Sequence, residues 1–256
     1  MLAGLVDAGV DLRSADMVIG TSAGANVGAQ ILSGVPIEEL YARQLKTPAG
    51  EIPVRIGIFS LLRFGAMLVW PGDERNNRAR LGRAALRART MTEATRRAII
   101  ASRLPVNTWP DRQLLITTVD AESGEFLTFN RDSGVQLVDA VAASSAAPLV
   151  YPPTTINGRR YIDGGTRSVT NADLAVGCNR VVVLAPLNIA PRPSHRAVNQ
   201  VASLGPDIRS IVVPADAWAR KEMGRQALDP AFRAASARAG RAQAARVASA
   251  VAEVWS

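Results

Sequence analysis

Asp16-Met17-Val18-Ile19 runs directly into Gly20-Thr21-Ser22-Ala23-Gly24, and small residues at helical spacing follow to about Leu32. A short buried strand that turns within a few residues into a helix belongs to layered α/β domains, in which helices cover a sheet. The rest of the chain has the same grammar. Leu2, Leu5 and Val6 lie at helical spacing, with Gly9 as a stop. Pro36-Ile37-Glu38-Glu39-Leu40 opens another helix, and residues 77–100 read as one Arg-studded helical stretch. Residues 113–119 are apolar and β-branched; Glu122-Ser123-Gly124-Glu125 turns them back into residues 126–129, a hairpin. A small-residue helix is expected over 135–147, closed by Pro148. Asn157-Gly158 marks a tight turn, Asp173-Leu174-Ala175-Val176 reads as helical, and 180–184 and 208–213 read as strands. Asp229-Pro230 supplies the cap and first position of a terminal Ala/Arg helix reaching Val254. The 256 residues suit a single domain over 1–256.

Composition narrows the function. Apolar residues make up 48% of the chain, yet no uninterrupted run reaches the ~20 residues that span a bilayer. The longest, 56–70, contains Arg63. It suits either a buried core helix or a site of acyl-chain or membrane contact through Phe59, Leu62, Phe64, Met67, Leu68 and Trp70. Met1 to Asp7 carries neither basic leader nor cleavage signature, so a cytoplasmic protein is expected, touching membrane at most peripherally. Cys178 is the single cysteine, which excludes an intrachain disulfide and a thiolate metal cluster. The net charge of +8 is almost all arginine, since Lys46 and Lys221 are the only lysines. A basic surface attracts phosphates on nucleic acid or anionic lipid. Aromatics are only 5% and do not interleave with the arginines, which argues against nucleic acid. Arg233, Arg238, Arg241 and Arg246 of the terminal helix suit a solvated face or an anionic lipid surface.

Two clusters carry chemistry. Gly20-x-Ser22-x-Gly24 fits a nucleophile elbow: a serine on a sharp strand-to-helix turn exposes its hydroxyl, and flanking glycines permit the close backbone. The helix that follows aims free N–H groups, that of Ala23 above all, at a developing oxyanion. Asp163-Gly164-Gly165 places a carboxylate at a strand end, freed by two glycines to approach another loop. The single histidine, His195, lies in a polar, Pro-rich loop. A Ser22–Asp163–His195 triad is formally open, but a solvated surface histidine is the reading such a loop favours. Without it, Asp163 takes the serine proton directly, and its pKa must rise from ~3.9 by burial. No phosphate loop, dinucleotide fingerprint or metal-ligand cluster is present, so no metal or organic cofactor is expected.

Four ordered segments carry a family resemblance. Gly20-Thr21-Ser22-Ala23-Gly24-Ala25, Ala143-Ser144-Ser145-Ala146-Ala147-Pro148, Tyr161-Ile162-Asp163-Gly164-Gly165 and Asn171-Ala172-Asp173-Leu174-Ala175 together resemble the patatin-like phospholipases, over roughly residues 2–187. The resemblance implies a three-layer α/β/α fold with a mostly parallel central sheet. It also implies a Ser22–Asp163 dyad and hydrolysis of fatty acyl esters in lipids, with Gly20, Gly24, Gly164 and Gly165 as motif glycines. Family members carry a further strand and a glycine-rich oxyanion loop before the elbow. This sequence starts too late to hold either, and its first helix has no preceding cap. A start annotated downstream of the true one is the expectation; the alternative is a catalytically impaired lipid- or protein-binding domain. A first strand lost in this way leaves residues 16–19 short of a neighbour.

Overall fold

The computed structural model describes residues 1–46, 72–190, 192–224 and 229–256. Seven strands and nine α-helices are described. The larger sheet runs in the order β1 (Met17–Gly20), β2 (Gln113–Asp120), β5 (Arg159–Asp163), β4 (Thr154–Ile156), and β3 (Phe126–Phe129) also pairs with β2. β1 and β2 are parallel; the β2–β3, β2–β5 and β4–β5 pairs are antiparallel. A second, parallel pair is formed by β6 (Arg180–Ala185) and β7 (Arg209–Pro214). The layers are those of an α/β/α fold, while the sheet is mixed rather than mostly parallel. The reason is local: the β2–β3 hairpin and the Asn157-Gly158 turn each reverse the chain. Asn157 and Gly158 have φ of 49° and 77°, the left-handed pair that a two-residue hairpin requires.

Alternation along β2 assigns the faces. Leu114 and Ile116 pack with α2 (Ala23–Ile31), α5 (Glu93–Arg103) and α6 (Leu137–Ser144) in the main core, which also holds Phe129, Ile156 and Tyr161. Val119 and Ile162 face the opposite way, onto Ala85 of α4 (Glu74–Leu86). In β6, Val181 and Val183 pack on α7 (Ala197–Ala202), whereas Val182 and Leu184 face α1 (Leu2–Asp7) and the terminal helix α9 (Arg233–Trp255). Ile19 of β1 joins the Val181–Val183 cluster, so the two sheets share a layer. Their lower ends are tied by one residue. The Trp255 indole donates to Ser14 Oγ at 3.3 Å, and its carbonyl accepts from Arg180 at 2.6 Å. As expected for residues 16–19, β1 is the edge of its sheet among the described residues, and β6 likewise pairs only with β7.

The helical stretch expected over 77–100 is two helices, α4 and α5, separated at residues 87–92 and restarted by Thr92, whose hydroxyl accepts from Thr95 N–H. Residues 172–174 form a single 3-10 turn. A further 3-10 turn, Pro230–Phe232, precedes α9 under the Asp229 cap. Three of the four α9 arginines singled out in the sequence make contacts with other elements at the surface, and Arg238 is exposed. Arg241 pairs with Asp7 and Glu38, Arg246 with Asp216, and Arg233 donates to the Lys46 carbonyl. These contacts join α9 to α1, to α3 (Ile37–Leu45) and to the cap of α8 (Ala217–Glu222). No helix among the described residues is long and apolar enough to cross a membrane. The apolar run 56–70 lies outside the described residues.

Candidate active site

The register of the sheet brings the two chemical clusters together. Gly20, the last residue of β1, is level with Ile116, and two residues further along β2 Thr118 pairs with Asp163 of β5, so the turn that holds Ser22 meets Asp163 at the same end of the sheet. Ser22 Oγ donates to Asp163 Oδ2 at 2.6 Å, a short, charge-assisted bond across 141 residues of sequence. Ser22 holds φ 55° and ψ −119°, a backbone conformation that costs a non-glycine residue about 1–3 kcal/mol and that a nucleophile elbow stores. Ala23 is the first residue of α2, and its N–H has no intrahelical acceptor.

Of the motif glycines, two answer to close packing. A Cβ on Gly20 would lie 2.6 Å from Ala25 Cα, and one on Gly164 would lie 2.6 Å from the Thr117 carbonyl oxygen. Gly165 matters through its N–H, which donates to Asp163 Oδ1 at 2.7 Å. Gly24 has open space where a Cβ would sit, so the close approach expected on both sides of Ser22 is needed on one side only.

Asp163 is buried, at 6% exposure. Burial raises its pKa from 3.8 to about 6, against the lowering effects of the Ser22 and Gly165 hydrogen bonds and of the Arg96 charge. This is the direction a carboxylate needs to accept a proton from an alcohol near neutral pH. His195 belongs to neither reading of the sequence. Its Nε2 lies 3.2 Å from Glu74 Oε2, and its side chain is only 13% exposed, held between its own turn and α4. It is neither a solvated loop residue nor a partner of Ser22 or Asp163.

Three sets of neighbours escaped the sequence reading. The backbone N–H of Ser22 donates to Ser144 Oγ at 3.0 Å. Thr21 Oγ1 accepts from Thr117 Oγ1 at 2.9 Å and from Asn171 Nδ2 at 3.0 Å, which pins the residue before the serine. Arg96 of α5 is buried beside the Ser145–Tyr151 segment. Ser144 and Asn171 stand in the segments quoted above, so a signal existed; Arg96 lies in an ordinary Arg-rich helix with none. A cavity of about 2470 Å³ opens over the pair, lined among others by Ser22, Asp163, Arg96, Tyr151, Ile19 and Val183. No group of three or more potential metal ligands occurs among the described residues.

A serine at the strand-to-helix turn after β1 is thus bonded to a buried carboxylate at the end of β5, with β2 between the two strands. The patatin-like phospholipase profile matches residues 2–176, and the chain belongs to that family, whose members are generally hydrolases of lipid esters. No curated protein matches the chain significantly.

Proposed function

We propose that this protein hydrolyses acyl esters of lipids through a covalent intermediate on Ser22, with Asp163 as its proton acceptor. The observation that carries the reading is the 2.6 Å bond between Ser22 Oγ and an Asp163 whose pKa stands near 6. As Oγ attacks the ester carbonyl carbon, its proton passes to Asp163. The carbonyl oxygen takes the negative charge beside Ala23 N–H and the positive end of α2. Collapse breaks the bond to the leaving alcohol, which departs with the proton from Asp163. Water then attacks acyl-Ser22, gives its proton to the same carboxylate and releases the fatty acid, and the proton returns to Ser22. In each half of the reaction Asp163 accepts one proton and then gives it up, so a histidine is not required.

The test is fluorophosphonate labelling with mass spectrometry to locate the adduct. An adduct on Ser22 that is lost in Ser22→Ala and slowed in Asp163→Ala is the expected result, followed by release of fatty acid from mixed phospholipid–glyceride vesicles. Folded protein that binds those vesicles yet gives no Ser22 adduct would overturn the enzymatic reading and leave a lipid-binding domain.

A further inference from the structure

One segment touches both halves of the Ser22–Asp163 pair. Ser144 Oγ accepts from the Ser22 backbone N–H, and two residues later the Ala146 carbonyl accepts from the Asp163 backbone N–H at 3.1 Å. Segment 144–151 leaves the end of α6 and has little regular structure; Leu149 within it has a positive φ of 67°. Short loops of this kind move unless something holds them. What holds this one from outside is Arg96. Its Nη2 donates to both the carbonyl and the hydroxyl oxygen of Ser145, each at 3.3 Å, and its guanidinium lies 3.7 Å from the centroid of the Tyr151 ring. Arg96 thus grips the segment at both ends, at Ser145 and, six residues on, at Tyr151.

We propose that Arg96 is a positioning residue for the Ser22–Asp163 pair: it clamps segment 144–151, which sets both backbones. A planar guanidinium suits the clamp, since its Nη2 reaches both Ser145 oxygens while the same group lies over the Tyr151 ring, which a compact ammonium cannot do as well. The groups that face Asp163 are the Ser22 hydroxyl from the elbow, the Gly165 N–H from the turn after β5 and, through space, the Arg96 charge from α5. Arg96 favours the ionised carboxylate there, opposing the burial that disfavours it. Arg96 does not touch the reacting atoms; it acts through the segment and through its field. As a statement about rate, the inference rests on the reaction proposed above.

Two variants separate clamp from charge. Arg96→Met removes both in a side chain of similar length. Arg96→Lys keeps the charge and loses the fork and the flat stack. The first measurement is titration of the Asp163 side-chain carboxyl by ¹³C NMR, assigned with Asp163→Asn, which needs no turnover. The expected midpoint rises to about 7 in Arg96→Met and stays within about half a pH unit of the wild type in Arg96→Lys. The second measurement is the fluorophosphonate rate at Ser22 at pH 8, above both midpoints, expected to fall about tenfold or more in both variants. An unmoved midpoint in folded Arg96→Met overturns the charge role. Should Arg96→Met not fold, a midpoint in Arg96→Lys displaced by a full pH unit does the same. Wild-type labelling by Arg96→Lys overturns the clamp. A wild type that never labels refutes the proposed reaction instead, and the titration still judges Arg96.

Discussion

The hydroxyl of Ser144, at the last turn of α6, accepts the backbone N–H of Ser22 at 3.0 Å. Ser22 is therefore held from two sides by residues far from it in sequence: its side chain by Asp163 and its backbone by Ser144. Ser22 has a strained φ, and a strained residue persists only where its surroundings over-determine it. Ser144 is fully buried, so its truncation leaves that N–H without an acceptor. Ser144→Ala is expected to lose about 1–3 kcal/mol of stability in urea unfolding and to slow Ser22 labelling. A variant as stable and as fast as the wild type would show that the elbow holds itself.

Asp163 makes a prediction of opposite sign to the usual carboxylate. Its folded pKa is about 6 against 3.8 in the unfolded chain. Below both values the group is neutral in either state and costs nothing. As pH rises through this window the folded carboxylate resists ionisation, stability falls, and the cost is complete above about 6 at about 3 kcal/mol. Asp11, Asp120 and Asp216 have lowered pKa values, so the whole-protein curve mixes both signs. The difference between Asp163→Asn and wild type isolates the one group. The asparagine can still accept from Gly165 N–H and meet the Ser22 hydroxyl. Asp163→Asn is expected to be more stable than wild type at pH 8, to lose that advantage at pH 4, and to label more slowly than wild type at pH 8. Equal stability gaps at the two pH values would mean that burial does not govern this carboxylate.

How much of this was legible in the sequence depended on whether the physics was local. The elbow, the 113–129 hairpin and the Asn157-Gly158 turn announce themselves because a few consecutive residues dictate the backbone. The pairing of Ser22 with Asp163 was legible through the ordered motifs, and the need for a raised Asp163 pKa through elementary acid–base chemistry. Ser144 stood in a quoted segment without an assigned role, while Thr117 and Arg96 were not legible as neighbours of the site, because only the tertiary fold brings them to it. The break at residues 87–92 was missed because alanines and arginines favour helix throughout; the cap at Thr92, not a poor helix former, restarts the chain. The ion pairs of Arg241 and Arg246 were not legible because their acidic partners, Asp7, Glu38 and Asp216, sit elsewhere in the chain.

His195 offers a simple discrimination between one base and a triad. Its Nε2 is occupied at Glu74, and Arg192 also lies 3.3 Å from that carboxylate. His195→Ala is expected to label at Ser22 within about twofold of wild type, since removing a true triad histidine costs orders of magnitude. The substitution should instead loosen the 193–196 turn from α4, read as faster amide exchange at residues 195 and 196. A loss of labelling as deep as that of Ser22→Ala would restore histidine to the mechanism.

The two glycines beside the nucleophile look equivalent in the motif and differ in the structure. A methyl at Gly20 would press on the Ala25 backbone, with Ala25 Cα 2.6 Å and Ala25 N 2.9 Å from the new Cβ. Neither atom belongs to a side chain that can swing away, so the strand or the first turn of α2 must shift. Gly24 meets nothing within 4 Å and lies inside α2, where alanine is favoured over glycine by about 0.5–1 kcal/mol. Gly20→Ala is therefore expected to destabilise the protein by more than about 1–3 kcal/mol, as overpacking against fixed atoms does. Gly24→Ala should match or exceed wild-type stability. Ser22 labelling separates stability from access: in Gly24→Ala the fold is intact, so any slowing reports the added methyl at the mouth of the elbow. Equal destabilisation by both substitutions would contradict the asymmetry, because only Gly20 has a backbone against it.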